Sequence, residues 1–218
     1  MRAGSEPRES ISTPRADLRL GSFPAILDDL ADGSASLVVA DPLWGDEGSW
    51  TELGRFAVRV LRPGGTVLAY LGTRSAFRAI ELLSAELTPV RLAYLAGPGW
   101  RAWDREVRCH VAGSFMAIMA NGSFDPPGES WTNDVERDPG EDLDEHRLHP
   151  YQRPLSNVLH YVEAFTRPGE LVIDPFLGSG TTAVACALLG RRLVGCDVDP
   201  GCIALTRDRL DAVPDPRS

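Results

Sequence analysis

The sequence contains no lysine, so all 22 of its basic residues are arginine. Cysteine is scarce as well: there are four cysteines, none in a Cys-x-x-Cys pair, and we expect no metal site. No run of 18 apolar residues occurs, and residues 1–15 lack the apolar core of a secretory signal. These absences predict a cytoplasmic protein with no membrane partner.

Acidic residues outnumber basic ones, and the net charge of the 218 residues is −9. Such a charge argues against a nucleic-acid partner, because neutralisation of phosphates drives that kind of binding. The acids are concentrated, however, in residues 121–148, which hold nine acidic residues and two arginines. The rest of the chain is close to neutral, so its charge does not exclude a nucleic acid.

Apolar runs and turn residues alternate along the chain in a way that predicts strands followed by helices. We expect strands at 17–21, 35–41, 66–72, 89–96, 113–121, 170–174 and 191–199, and helices at 23–31, 49–61, 74–86, 153–166, 179–190 and 201–212. Strands that are apolar throughout indicate a parallel sheet covered on both faces. We predict a mobile arm at 1–15, one domain at 16–210 with an acidic loop at 121–148, and a tail at 211–218.

A glycine-containing loop, Asp-Pro-Phe-Leu-Gly-Ser-Gly-Thr-Thr at 174–182, joins a predicted strand to a helix. Gly178 and Gly180 allow the backbone to approach a ligand, and the helix start offers N–H groups. Asp197 ends the next strand, where a nucleoside ribose meets a carboxylate. The loop lacks both Gly-x-Gly-x-x-Gly and a P-loop pattern, so a ligand with one nucleoside is favoured over a dinucleotide.

A second candidate site is Asp-Pro-Leu-Trp at 41–44, directly after the strand predicted at 35–41. Asp41 and the carbonyl of Pro42 can each accept a hydrogen bond from an amine, and Trp44 can stack on a planar base. A tetrapeptide of this kind is more often a turn with a buried tryptophan. Its position at the ligand edge of the sheet, opposite the glycine loop, favours a site.

These two motifs, in this order, resemble those of the beta-class DNA amino-methyltransferases, as does His-Pro-Tyr-Gln-Arg-Pro at 149–154. The resemblance covers about 190 of the 218 residues. It implies an α/β protein with the Rossmann-like S-adenosylmethionine-dependent methyltransferase fold, a three-layer sandwich with circularly permuted motif order. The implied reaction moves a methyl group from S-adenosylmethionine to the exocyclic amine of a flipped DNA base, adenine rather than cytosine.

The resemblance also implies roles for individual residues. Asp41, Pro42 and Trp44 are the expected catalytic residues. The expected cofactor-binding residues are Ser22, His149, Arg153, Pro154, Asp174, Phe176, Gly178, Ser179, Gly180, Thr181 and Asp197. Three positions depart from the family pattern: Leu43 replaces a proline, Ser22 replaces an aspartate, and Arg153 replaces a lysine.

DNA is the expected partner, and residues 97–112 offer basic and aromatic side chains for it, Arg101, Trp103 and Arg105 among them. No sizeable target-recognition domain is evident, so a homodimer, a specificity partner or loose specificity is expected to account for the choice of target. Alternatives to this function are a degenerate protein that binds S-adenosylmethionine without catalysis, and a methyltransferase that acts on cytosine amine or on RNA.

Overall fold

The computed structural model describes residues 9–12, 16–43, 45–96, 102–106, 108–111, 113–126, 135–137, 148 and 152–214. Their strands are β1 Glu9–Ser12, β2 Ala16–Leu20, β3 Ala35–Ala40, β4 Leu61–Leu71, β5 Thr88–Ala96, β6 Ala102–Asp104, β7 Cys109–Val111, β8 Gly113–Ala120, β9 Val135–Arg137, β10 Leu171–Asp174 and β11 Arg192–Asp197. Their helices are α1 Glu47–Val60, α2 Ala76–Leu83, α3 Leu155–Phe165, α4 Thr181–Leu189 and α5 Pro200–Asp211.

Local signals in the sequence set the ends of these helices. The Asp46 side chain accepts a hydrogen bond from the N–H of Gly48 and caps α1, and Asp199 caps α5 in the same way through Gly201. Pro200 occupies the first turn of α5, where its missing N–H is not needed. Gly190 ends α4 in the left-handed conformation, which glycine adopts without strain.

Nine of the described strands form one sheet, in the order β1-β2-β11-β10-β3-β4-β8-β5-β9. Its centre, from β2 to β4, is parallel. Strand β8 runs antiparallel between β4 and β5, whereas a wholly parallel sheet was expected. The reason is the connection from β5 to β8, which contains the hairpin of β6 and β7 instead of a crossover helix.

Helices cover both faces of the sheet. Alternate residues of the central strands point to opposite faces, so Leu37 and Val39 enter one buried cluster and Val38 and Ala40 the other. The first cluster contains residues of α3, α4 and α5, and the second contains residues of α1 and α2. The result is a three-layer sandwich.

The strand order reverses between β10 and β3, which pair in parallel through Val172 with Leu37 and Ile173 with Val38. From β10 the chain continues to β11 on one side, and from β3 to β4 on the other. In open α/β sheets this reversal leaves a crevice at the carboxyl ends of the strands, and ligands bind there. The carboxyl ends of β2, β11, β10, β3 and β4 are called the carboxyl edge below.

Further differences from the expected elements occur, among them strand β9, which lies inside the acidic loop expected at 121–148 and pairs with β5. The helix expected at 23–31 is only a 3₁₀ turn at Ala25–Leu27, because Pro24 precedes it and the acid- and glycine-containing stretch 28–34 follows. Strand β1 lies inside the segment 1–15 expected to be a mobile arm, and it pairs with β2. Among the described residues, no helix is both long and apolar enough to span a bilayer.

Candidate active site

The glycine loop connects β10 to α4 at the carboxyl edge. Gly178 and Gly180 have φ angles of 49° and 76°, in the left-handed region. Gly180 also lies against α5, since a Cβ built on it would stand 2.4 Å from Thr206 Oγ1. Gly178 is different, because its own Cβ would meet nothing closer than the carbonyl oxygen of Phe176 at 4.0 Å. The loop is thus packed against α5 at Gly180 and open at Gly178.

Asp174 ends β10 with a buried carboxylate that accepts the N–H of Phe176 at 3.0 Å. The pKa of Asp174 is raised to about 7, chiefly by burial and also by the negative charges of Asp197 and Asp41. A hydrogen bond from Thr182 acts in the opposite direction on the same pKa. The crevice therefore brings together three carboxyl groups from three neighbouring strands, a setting that favours a positively charged ligand.

Asp197 ends β11 and is tied to the glycine loop. Its Oδ2 accepts the N–H of Gly178 at 2.8 Å, and its Oδ1 accepts the N–H of Asp199 at 2.9 Å. The next side chain, Val198, is 68% exposed. A carboxylate followed by an exposed apolar residue is thus presented beside the open side of the loop.

Ser22 follows β2 at the same edge. The preceding Gly21 donates its N–H to the carbonyl of Asp197 at 2.9 Å, and the Ser22 hydroxyl donates to the carbonyl of Phe23. The ring of Phe23 lies 5.3 Å, between centroids, from that of Phe176. These contacts bring Ser22 and Phe176 to the crevice with Asp197.

Arg209 of α5 contacts the glycine loop on the side that faces α5. Sequence reasoning did not identify this residue. Its Nη1 donates to the carbonyl of Ser179 at 2.7 Å and to Thr181 Oγ1 at 3.2 Å. Ser179 and Thr181 are both buried, and their hydroxyls lie 3.2 Å apart. An arginine within α5 carries no signal in the sequence that connects it to this loop.

Asp41 directly follows β3, and β3 is the strand next to β10. The two candidate motifs therefore meet at one crevice. The Asp41 side chain is 25% exposed, Pro42 is buried and Leu43 is 83% exposed. Trp44 and His149 lie outside the described residues. The chain thus places Asp41 and Pro42 at the same edge of the sheet as the glycine loop.

Arg153 contacts Asp41. Its Nε and Nη2 lie 2.8 and 2.7 Å from Asp41 Oδ2. Its guanidinium carbon stands 4.3 Å from the centre of the Tyr70 ring, and its Nη1 lies 3.5 Å from Ser114 Oγ. Pro154 follows and forms the cap position of α3. Sequence reasoning missed Tyr70 and Ser114, since they lie on strands that the motifs do not include.

The hairpin of β6 and β7 is tethered near the same edge. Arg74, between β4 and α2, pairs with Asp104 at 3.4 Å and with Glu106. Arg105 and Arg108 at the tip of the hairpin are exposed. Arg101 and the side chain of Trp103 lie outside the described residues.

Comparison with known proteins identifies the family. Residues 88–208, more than half of the chain, match the model of the N6/N4 methyltransferases, a family described as DNA methylase. The chain belongs to this family. The resemblance to beta-class DNA amino-methyltransferases is thereby confirmed. The motif order in the sequence, with Asp41 before the glycine loop, agrees with that resemblance.

Two curated relatives align with part of this chain. The type II methyltransferase M2.DpnII of Streptococcus pneumoniae is 41% identical over 64 residues, which are 29% of this chain. The DNA adenine methyltransferase YhdJ of Escherichia coli K12 is 35% identical over 69 residues, which are 32% of this chain. The chain matches 24% of the length of each relative.

Solved structures share its fold across nearly the whole chain. The cytosine-N4-specific PvuII DNA methyltransferase has a TM-score of 0.81 at 16% identity, with 95% of this chain and 89% of that chain covered. M1.HpyAVI in complex with S-adenosylmethionine has a TM-score of 0.72 at 19% identity, with 90% and 99% covered. The predicted Rossmann-like methyltransferase fold is confirmed.

Proposed function

We propose that this chain transfers a methyl group from S-adenosylmethionine to the exocyclic amine of a DNA base, adenine in preference to cytosine. One observation carries the proposal: Asp41 and the glycine loop extend from the carboxyl ends of two paired parallel strands, β3 and β10. A methyl donor in the loop and an amine at Asp41 would therefore face each other. The preference for adenine rests on the relative named as a DNA adenine methyltransferase.

The residues of the crevice fit S-adenosylmethionine. The carboxylates of Asp174 and Asp197 suit a ligand with a sulfonium and an ammonium charge, and Asp197 suits its ribose hydroxyls. The exposed Val198 offers an apolar surface to the adenine ring, and Gly178 leaves open space beside the loop. When bound, S-adenosylmethionine supplies the electrophilic methyl group.

Asp41 and Pro42 would activate the exocyclic amine, which is a weak nucleophile. The lone pair of an aromatic amine is delocalised into its ring, so attack requires a pyramidal nitrogen that gains positive charge. The Asp41 carboxylate and the Pro42 carbonyl would accept the two N–H groups and favour that nitrogen as the charge develops. The base must leave the duplex to reach them, and Trp44 would replace the lost stacking.

DNA would approach the carboxyl edge, where the hairpin of β6 and β7 is held by Arg74. The hairpin tip carries Arg105 and Arg108, both exposed, and arginines of this kind neutralise phosphates. A two-stranded ribbon also fits the width of the major groove. We propose Arg101, Trp103 and Arg105 as DNA contacts.

The test measures cofactor binding and methyl transfer separately. We expect titration calorimetry to show binding of S-adenosylmethionine, and mass spectrometry of nucleosides from treated duplex DNA to show N6-methyladenine. Binding without transfer would support the degenerate alternative. N4-methylcytosine as the product would contradict the adenine assignment, and a preference for RNA over DNA would contradict the substrate class.

Asp41→Ala should reduce the rate of transfer about 100-fold or more, since it removes an acceptor that acts in the transition state. The affinity for S-adenosylmethionine should be unchanged. Asp32→Ala, at an exposed aspartate near the opposite end of β3, is the matched control and should retain full activity. Turnover that persists in Asp41→Ala would overturn the catalytic assignment.

A further inference from the structure

We propose that Arg153 is a positioning residue for the methyl transfer: it holds the Asp41 carboxylate at the angle from which Asp41 accepts the amine. This inference rests on the proposed function. Sequence reasoning placed Arg153 in the cofactor pocket, whereas its guanidinium meets the catalytic motif. The two side chains are 112 positions apart in the chain.

The contact between the two side chains restrains the Asp41 carboxylate. Arg153 Nε donates a hydrogen bond to Asp41 Oδ2 at 2.8 Å, and Nη2 lies 2.7 Å from the same oxygen as an ion-pair contact. A charge-assisted hydrogen bond is shorter and stronger than a neutral one, and the adjacent ion-pair contact comes from the same planar group. The orientation of the Asp41 carboxylate toward the amine is thereby restrained.

Arg153 can position Asp41 because contacts with two other side chains restrain its own guanidinium. Its guanidinium lies over the ring of the buried Tyr70, 4.3 Å from the ring centre, and its Nη1 is 3.5 Å from the hydroxyl of the buried Ser114. Tyr70 belongs to β4 and Ser114 to β8, the two strands that follow β3 in the sheet. Arg153 thus ties the catalytic motif, which follows β3, to the next two strands of the sheet.

This arrangement requires an arginine. A lysine ammonium has the same charge but lacks the planar group that contacts one carboxylate through two nitrogens while it stacks on a ring. Arg153→Lys should therefore recover only part of what Arg153→Ala loses. A residue needed only for its charge would be replaced fully by lysine.

The experiment measures methyl transfer to duplex DNA at saturating S-adenosylmethionine. Arg153→Ala should lower kcat about tenfold to a hundredfold, because misplacement of a reacting group by about 1 Å has an effect of that size. Its dissociation constant for S-adenosylmethionine, measured by calorimetry, should change less than threefold. Arg55→Ala, at an exposed arginine of α1, is the control and should change neither.

Chemical rescue separates positioning from a general structural role. Guanidinium chloride at low concentration should restore part of the activity of Arg153→Ala, but not that of Asp41→Ala, and sodium chloride at the same ionic strength should restore neither. A loss confined to S-adenosylmethionine affinity, or an unchanged kcat, would overturn the proposal. So would equal rescue by sodium chloride.

The failure of this inference can be told apart from the failure of the proposed function. Inactive wild-type protein contradicts the proposed function, whereas active wild type with equally active Arg153→Ala contradicts only the positioning role. The contact itself is tested by a double-mutant cycle that requires no activity measurement. The cycle compares the unfolding equilibrium constants of wild type, Asp41→Ala, Arg153→Ala and the double variant. We expect coupling of at least threefold in the unfolding equilibrium constant, and additive effects would refute the contact.

Discussion

At the scale of single residues, burial raises the pKa of the Asp174 carboxyl group from about 3.8 to about 7. The folded chain therefore holds this proton between pH 4 and pH 7, where the unfolded chain has already released it. Stability from this group is greatest at low pH and declines as the pH rises through that window. Each pKa unit of the difference corresponds to about 1.4 kcal/mol.

Asp174→Asn should remove this decline, because an amide cannot ionise. Without cofactor, the free energy of unfolding of the variant should rise relative to wild type by about 2 kcal/mol between pH 5 and pH 8. Urea denaturation at each pH measures it. Asp208→Asn, at an exposed aspartate of α5, should show no such change. Parallel curves for Asp174→Asn and wild type would show that the carboxyl group titrates normally.

At the scale of elements, α5 supports the glycine loop, although no residue of α5 belongs to either candidate motif. Arg209 bonds to the carbonyl of Ser179, and Thr206 packs on Gly180. The loop therefore has a fixed shape on the side that faces the protein and open space on the other. Pre-organisation of this kind lowers the entropy lost when a ligand binds.

Arg209→Gln should weaken S-adenosylmethionine binding about tenfold, because the Ser179 carbonyl loses a charged donor and the loop loses a restraint. Arg207→Gln is the matched control: Arg207 lies on the same helix and pairs with Asp208 at the surface. Calorimetry measures both affinities, and circular dichroism verifies that both variants are folded. Equal affinities for the two variants would remove Arg209 from the binding site.

The sequence predicted those elements whose signals are local. Apolar runs located the central strands, and the glycine loop with Asp197 located the crevice, because strand order and handedness place these residues at one edge. The short strands β6 and β7 were not predicted, since each has three residues and no clear alternation. The Arg153–Asp41 contact could not be predicted either, because it depends on how α3 packs on the sheet.

At the scale of the whole molecule, the net charge of −9 means that the proposed binding of DNA requires a local basic patch. The hairpin of β6 and β7 is the candidate, since Arg74 joins it to the carboxyl edge and its tip presents Arg105 and Arg108. Acidic residues elsewhere would repel DNA and orient it toward that patch.

The double variant Arg105→Ala/Arg108→Ala should weaken DNA binding and flatten its dependence on salt. The slope of log affinity against log salt concentration should fall by about 1 for each phosphate that an arginine no longer neutralises. Fluorescence anisotropy with a labelled duplex at several salt concentrations measures the slope. Arg55→Ala should leave it unchanged, and an unaltered slope in the double variant would place the DNA elsewhere.

The close approach of Gly180 to Thr206 links the glycine loop to α5. A methyl group at 180 has no room while threonine occupies 206, since its carbon would stand 2.4 Å from Thr206 Oγ1. A chimera whose imported loop carries a larger residue at 180 must therefore import the matching last helix too. Engineers who graft such a loop alone would create this clash.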